Sequence, residues 1–222
     1  YEHISEAKDY SAKLKEEYGL CIPSMQSIWF GRQEKIFGSE KERHVLIEYT
    51  RVACKFAQAL GCRNLVFGNP RNRETLDVTG DYPKATAFFH AIGEIALEYD
   101  TIIAIEANPT IYNTHFINYT EQAVELAYKS NTRGVKVNFD LGTIIQNGED
   151  VRYIADVADY INHIHISEPY LAPIDCAHRD MQKFLLDFSK KLEHVFVSIE
   201  MGNKQELHVV KDTINYIQEL SL

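Results

Sequence analysis

Residues 161–167, INHIHIS, alternate isoleucine with polar side chains. Successive side chains on a strand point to opposite faces, so His163, His165 and Ser167 share one face and Ile164 and Ile166 the other. Three further β-rich runs sort in the same way. In GVKVNFD (134–140), Lys136, Asn138 and Asp140 oppose Val135, Val137 and Phe139. In VFVSIEM (195–201), Ser198 and Glu200 oppose Val195, Val197 and Ile199; in TIIAIEA (101–107), Ile102, Ala104 and Glu106 form the inward set. Apolar faces turned toward helices and polar faces turned inward describe the wall of a parallel barrel.

Working outward, NLVFG (64–68) and LCIPSMQSI (20–28) read as two more strands. Helical patterns lie between the runs at 40–60, 83–99, 120–131, 150–158 and 178–192, and a last one follows at 204–220. Gly61 suits a helix C-terminus and Pro83 a helix first turn. Strands alternating with helices imply crossover connections and an α/β fold. The expectation is a TIM-type (β/α)8 barrel in a single domain over residues 1–222. About six βα units are countable and the chain opens on a helical segment at 4–18. The first two strands of eight, about 40 to 60 residues, are therefore expected to be missing from an N-terminally shortened chain.

The chain has 222 residues, 45% of them apolar and 25% charged, with a formal net charge of −9. It is long enough to bury a core without disulfide or metal staples. The acidic balance, with no Lys/Arg block, argues against nucleic acid as the main partner. No segment has the length of a membrane span or the pattern of a signal peptide, so the expected setting is cytoplasmic with no membrane partner. Cys21, Cys54, Cys62 and Cys176 show no CxxC pairing and read as reduced, mostly buried thiols.

Glu106, Asp140, His165 and Glu200 end the inward faces of four consecutive runs, separated by 34, 25 and 35 residues. Each spacing is one βα unit, which brings the four to one level at the C-terminal mouth of a barrel. Three crowded carboxylates repel unless a cation lies among them. One nitrogen and three oxygen donors suit a single divalent metal ion, Mn²⁺ or Mg²⁺ ahead of Zn²⁺ or Co²⁺. His163 lies one layer deeper and reads as interior support for His165.

The motifs IAIEAN, VKVNFD, HIHISE and VSIEMG carry these four residues, and with them the chain resembles the xylose isomerase-like TIM barrels from about Ser24 onward. That superfamily holds sugar isomerases, ketose 3-epimerases, inosose dehydratases and endonuclease IV-type enzymes. The resemblance implies one metal ligand on each of these strands, supplied by Glu106, Asp140, His165 and Glu200. It also implies Glu106 and Glu200 as acid and base in an epimerase. Many relatives carry Asp-x-x-His where this chain has Asp140-Leu141-Gly142-Thr143. Gln26, Gly68 and Asn69 stand where the endonuclease branch has further histidines, which disfavours a three-metal site.

The function implied is a metal-dependent sugar or sugar phosphate isomerase or epimerase, working through an enediolate. The alternatives are a metal-dependent hydrolase of the endonuclease IV type, an inosose dehydratase-like lyase, and a sugar-binding barrel without catalysis. Asn69, Arg71 and Arg73 follow a strand directly and can meet a phosphate or carboxylate, or form a solvated turn. Tyr112, His115, Glu168, His178 and Asp180 are loop candidates for substrate contact, and Trp29 for an apolar pocket wall. Two unpaired sheet edges in a shortened barrel also raise homo-oligomerisation as an expectation.

Overall fold

The computed structural model describes Tyr1 and residues 3–222. Two compact units divide the chain, Tyr1–Val137 and Asn138–Leu222.

The first unit holds α1 (Ile4–Tyr18), α2 (Glu40–Leu60), β1 (Leu65–Phe67), α3 (Val78–Glu98), β2 (Ile103–Glu106), α4 (Thr120–Lys129) and the start of β3 (Val135–Asp140). Strands β1 and β2 run parallel, with Leu65 opposite Ile103 and Phe67 opposite Ile105. Ser39 starts α2 with a reciprocal capping box, accepting from the Glu42 amide while the Glu42 carboxylate receives the Ser39 amide. Gly61 ends the same helix at φ +71°, a conformation strained for other residues. The intervening helix buries Leu46, Thr50, Ala53, Cys54, Ala57 and Leu60 along one face.

The sequence reading and the structure part at several places. LCIPSMQSI supplies only one parallel bridge, Met25 to Leu65, rather than a strand. Pro23 has no amide to donate, and Ser27 turns to φ 55°, so the next bond to β1 comes out of regular register, from the Ile28 amide to the Val66 carbonyl at 2.9 Å. Helix α3 begins at Val78, five residues early, because the Asp77 side chain caps it by accepting from the Gly80 amide at 2.9 Å. Pro83 therefore lies inside the helix rather than in its first turn. Trp29 is not a pocket wall. It is fully buried, donates to Thr50 Oγ1 at 3.0 Å and packs its ring 4.9 Å from that of Phe67.

The second unit holds the rest of β3, α5 (Leu141–Asn147), β4 (Ile161–Ile166), α6 (Arg179–Ser189), β5 (Phe196–Ile199) and α7 (Leu207–Leu220). Strands β4 and β5 are parallel, with His163 opposite Phe196 and His165 opposite Ser198. The pairing continues past β5 through a Glu200 amide to Ile166 carbonyl bond of 2.9 Å. Residues 150–158, expected as one helix, form two short 3₁₀ turns instead, and the helix lies earlier as α5. Asp140 caps α5 directly from the end of β3, its carboxylate accepting from the Thr143 amide at 2.7 Å.

Among the described residues no helix is long and apolar enough to cross a membrane. Only two of the four cysteines are buried, Cys54 and Cys62, while Cys21 and Cys176 are exposed. Burial pushes the Cys54 thiol up to about 12 and the Cys62 thiol up to about 11. An alkylating reagent at pH 8 is expected to label Cys21 and Cys176 in the native protein and the other two only after denaturation. Four native labels would contradict the burial.

Candidate metal centre and its surroundings

Within the second unit, Asp140, His165 and Glu200 come together at the C-terminal ends of β3, β4 and β5. Each offers a ligand atom, and these atoms lie within 4.8 Å of one another. Glu200 Oε2 is 3.2 Å from His165 Nδ1, and His165 itself is buried. The Asn138 amide nitrogen lies 3.0 Å from the same ring nitrogen. Ser167 donates to Asp140 Oδ1 and accepts from the Gly142 amide at 2.8 Å, tying the Asp140 carboxylate to the start of α5. Asn138 and Ser167 were legible only as inward-facing positions; their role in holding His165 and Asp140 follows from contacts across neighbouring strands.

Burial pushes the pKa of Asp140 up, and the Glu200 carboxylate adds to the rise. His165, Ser167 and the Thr143 amide pull the other way. Carboxylates that resist joint ionisation in a buried site are stabilised by a cation, and an imidazole nitrogen with two carboxylates is a donor set that divalent ions accept. The three residues therefore fit a metal ion.

His163 lies beneath His165 with the two rings edge-to-face, their centroids 5.3 Å apart. Its Nε2 is 2.8 Å from Ser198 Oγ. Burial, with a smaller contribution from His165, lowers its pKa to about 3. A neutral, hydrogen-bonded ring at this depth supports the His165 ring above it.

Glu168 is buried and bound on both oxygens. Its Oε2 is 2.9 Å from His178 Nδ1, and its Oε1 accepts from the Asp175 amide at 3.2 Å and from Gln182 Nε2 at 3.5 Å. Tyr216 donates to Gln182 Oε1 at 2.7 Å. Thus Glu168 and His178, singled out separately, are partners that fasten the segment between β4 and α6. Asp180 is exposed.

The first unit places Glu106 at the end of β2, buried. A Cβ on Gly68 would overlap Glu106 Oε2, so the glycine is what lets this carboxylate lie against the chain. Arg73 is neither at a mouth nor in a solvated turn. It is fully buried and donates to the carbonyls of Glu106 and Phe67 at 2.9 Å each and of Ile117 at 3.4 Å. Burial lowers its pKa to about 9, and the nearby Glu106 charge opposes that fall. Asn69 and Arg71 do reach a cleft, of about 420 Å³, lined also by Phe30, Arg32, Gln33 and Gly68. His115 is exposed and Tyr112 half-buried.

Comparison with known proteins extends the picture to the whole chain. A family model described as xylose isomerase-like TIM barrel matches residues 2–220. No curated protein sequence is significantly similar. Among solved structures, D-psicose 3-epimerase from Clostridium cellulolyticum H10 is similar with a TM-score of 0.78 at 12% identity, over 98% of this chain and 83% of that one. The 3-keto-D-glucoside 4-epimerase YcjR from E. coli gives 0.77 at 14% identity, over 97% and 85%. A family 2 AP endonuclease from Brucella melitensis gives 0.71 at 18% identity, over 96% and 83%. At such identities the likeness shows a shared fold.

Proposed function

Because the chain belongs to the xylose isomerase-like TIM barrel family, we propose that it is a divalent-metal-dependent isomerase or epimerase of sugars. The observation that carries this reading is the meeting of Asp140, His165 and Glu200 at the strand ends. We assign Glu106 as the fourth ligand, the role that membership of this family implies for the glutamate ending β2. Mn²⁺ or Mg²⁺ suits these hard oxygen donors, with Zn²⁺ or Co²⁺ as substitutes.

A divalent ion bound here supplies the positive charge that stabilises an enediolate. Glu200 and Glu106 supply the proton chemistry: one carboxylate removes the proton α to a ketose carbonyl and the other returns it. Return to the opposite face of the same carbon inverts it, whereas return to the neighbouring carbon moves the carbonyl. Asp140 is held by Ser167 and the Thr143 amide, which suits a fixed ligand better than a mobile base. His165 is fixed by Asn138 and underpinned by His163.

The neighbouring folds named for D-psicose 3-epimerase and 3-keto-D-glucoside 4-epimerase support a sugar substrate, and a net charge of −9 disfavours nucleic acid. The test is solvent deuterium uptake into a panel of ketoses and ketose phosphates by Mn²⁺-loaded protein. Uptake that disappears on stripping the ion with EDTA is the expected result; no uptake into any of them would remove the proposal.

Gly68 enters the same reading as a positioning residue. Gly68→Ala is expected to push the Glu106 carboxylate aside and weaken Mn²⁺ binding about tenfold, within the range seen when a ligand's support is lost. Calorimetric titration with unchanged affinity would detach Glu106 from the metal.

A further inference from the structure

The cleft beside β1 carries one feature the proposed reaction does not use. Its two arginines differ in their partners. Arg32 is neutralised by Glu34, through Nε at 3.0 Å and a terminal nitrogen at 2.5 Å. Arg71 is exposed, and its guanidinium meets only the neutral Gln33 side-chain oxygen, at 2.6 Å. Among the described residues no carboxylate lies within ion-pair distance of it. In a chain of net charge −9, a cation left without a counter-ion in a concave surface is conspicuous.

The surroundings suit a ligand rather than bulk solvent. Asn69 turns its Oδ1 back to accept from the Arg71 amide at 3.1 Å, which leaves its NH₂ group to donate outward. Phe30 lines the cleft with 81% of its surface exposed, an apolar face of the kind that pockets for sugar rings pair with a few polar groups. The cleft volume of about 420 Å³ falls in the range of small-molecule sites. Gly68 lines the cleft and is also the residue that touches the Glu106 carboxylate. A molecule seated between Phe30 and Arg71 therefore extends toward the proposed acid/base glutamate.

We infer that this cleft binds an anionic group, phosphoryl or carboxylate, at the end of the substrate remote from the reacting carbons, with Arg71 and Asn69 as its donors. The inference rests on the proposed sugar chemistry for the rest of the substrate. A guanidinium suits either anion, since its fork matches two oxygens of each.

The test is calorimetric binding to the Mn²⁺-loaded chain of D-fructose, its 6-phosphate and the corresponding 6-carboxylate, for wild type, Arg71→Gln and Arg71→Glu. Wild type is expected to bind at least one anionic sugar about tenfold or more tightly than fructose, and the tighter of the two names the anion. Arg71→Gln is expected to bring that affinity to the level of fructose, and Arg71→Glu to invert the preference. Equal or absent binding of all three sugars, or a preference that survives both substitutions, would overturn the inference. An anion preference that depends on Arg71, in a protein that exchanges no solvent deuterium, would uphold this subsite and remove the proposed reaction.

Discussion

Replacing Arg73 by alanine is expected to lower stability by about 3–5 kcal/mol, the range for removing one partner from a buried polar network and leaving a cavity. The guanidinium is fully buried, lies 4.2 Å from the Phe67 ring centre and donates to three carbonyls. Two of those carbonyls, of Phe67 and Glu106, end β1 and β2; the third, of Ile117, belongs to the segment that follows β2. The substitution removes a donor from all three carbonyls at once, and that of Ile117 keeps a second bond, from the Asn108 amide at 2.9 Å. Arg73→Met restores most of the volume but none of the donors, so it is expected to recover only a minority of the loss. Urea unfolding of the three proteins reads this out. A cost under about 1 kcal/mol for Arg73→Ala would mean that these carbonyls find water instead.

The second large effect is chemical. Glu200→Gln keeps the shape of the side chain and removes its capacity to take a proton, so deuterium uptake into a ketose is expected to fall by about 10²–10⁴-fold, as for loss of a general base. Glu106→Gln is expected to act similarly if the two glutamates divide the removal and return of the proton. The fold should persist, because Glu200 is anchored through its backbone amide to Ile166. Uptake at the wild-type rate in both variants would remove the acid/base assignment while leaving the metal site standing.

The part of the site that is legible in the sequence depends on strand parity. Alternation in INHIHIS and VKVNFD fixed which side chains share a face. The Asn138–His165, His163–Ser198 and Ser167–Asp140 contacts are the physical expression of that alternation. Helix boundaries with strong chemistry were also readable, as at Glu40–Leu60 between its capping box and Gly61. What failed depends on tertiary burial. Arg73 and Trp29 look like surface and pocket residues in sequence, yet both are core, because their polar atoms meet acceptors more than five positions away. Helix α5 was missed since Asp140 serves at once as strand end and helix cap, with no loop between to mark the change. The Glu168–His178 pair was hidden for a similar reason: ten residues separate the partners, and only the folded segment between β4 and α6 joins them.

A calorimetric Mn²⁺ titration of the metal-stripped protein, set beside His165→Ala and Asp140→Asn, tests the metal centre most directly. One ion per wild-type chain, with binding lost or weakened at least a hundredfold in both variants, is the predicted result. An equal stoichiometry and affinity in all three proteins, or no binding to the wild type, would contradict it.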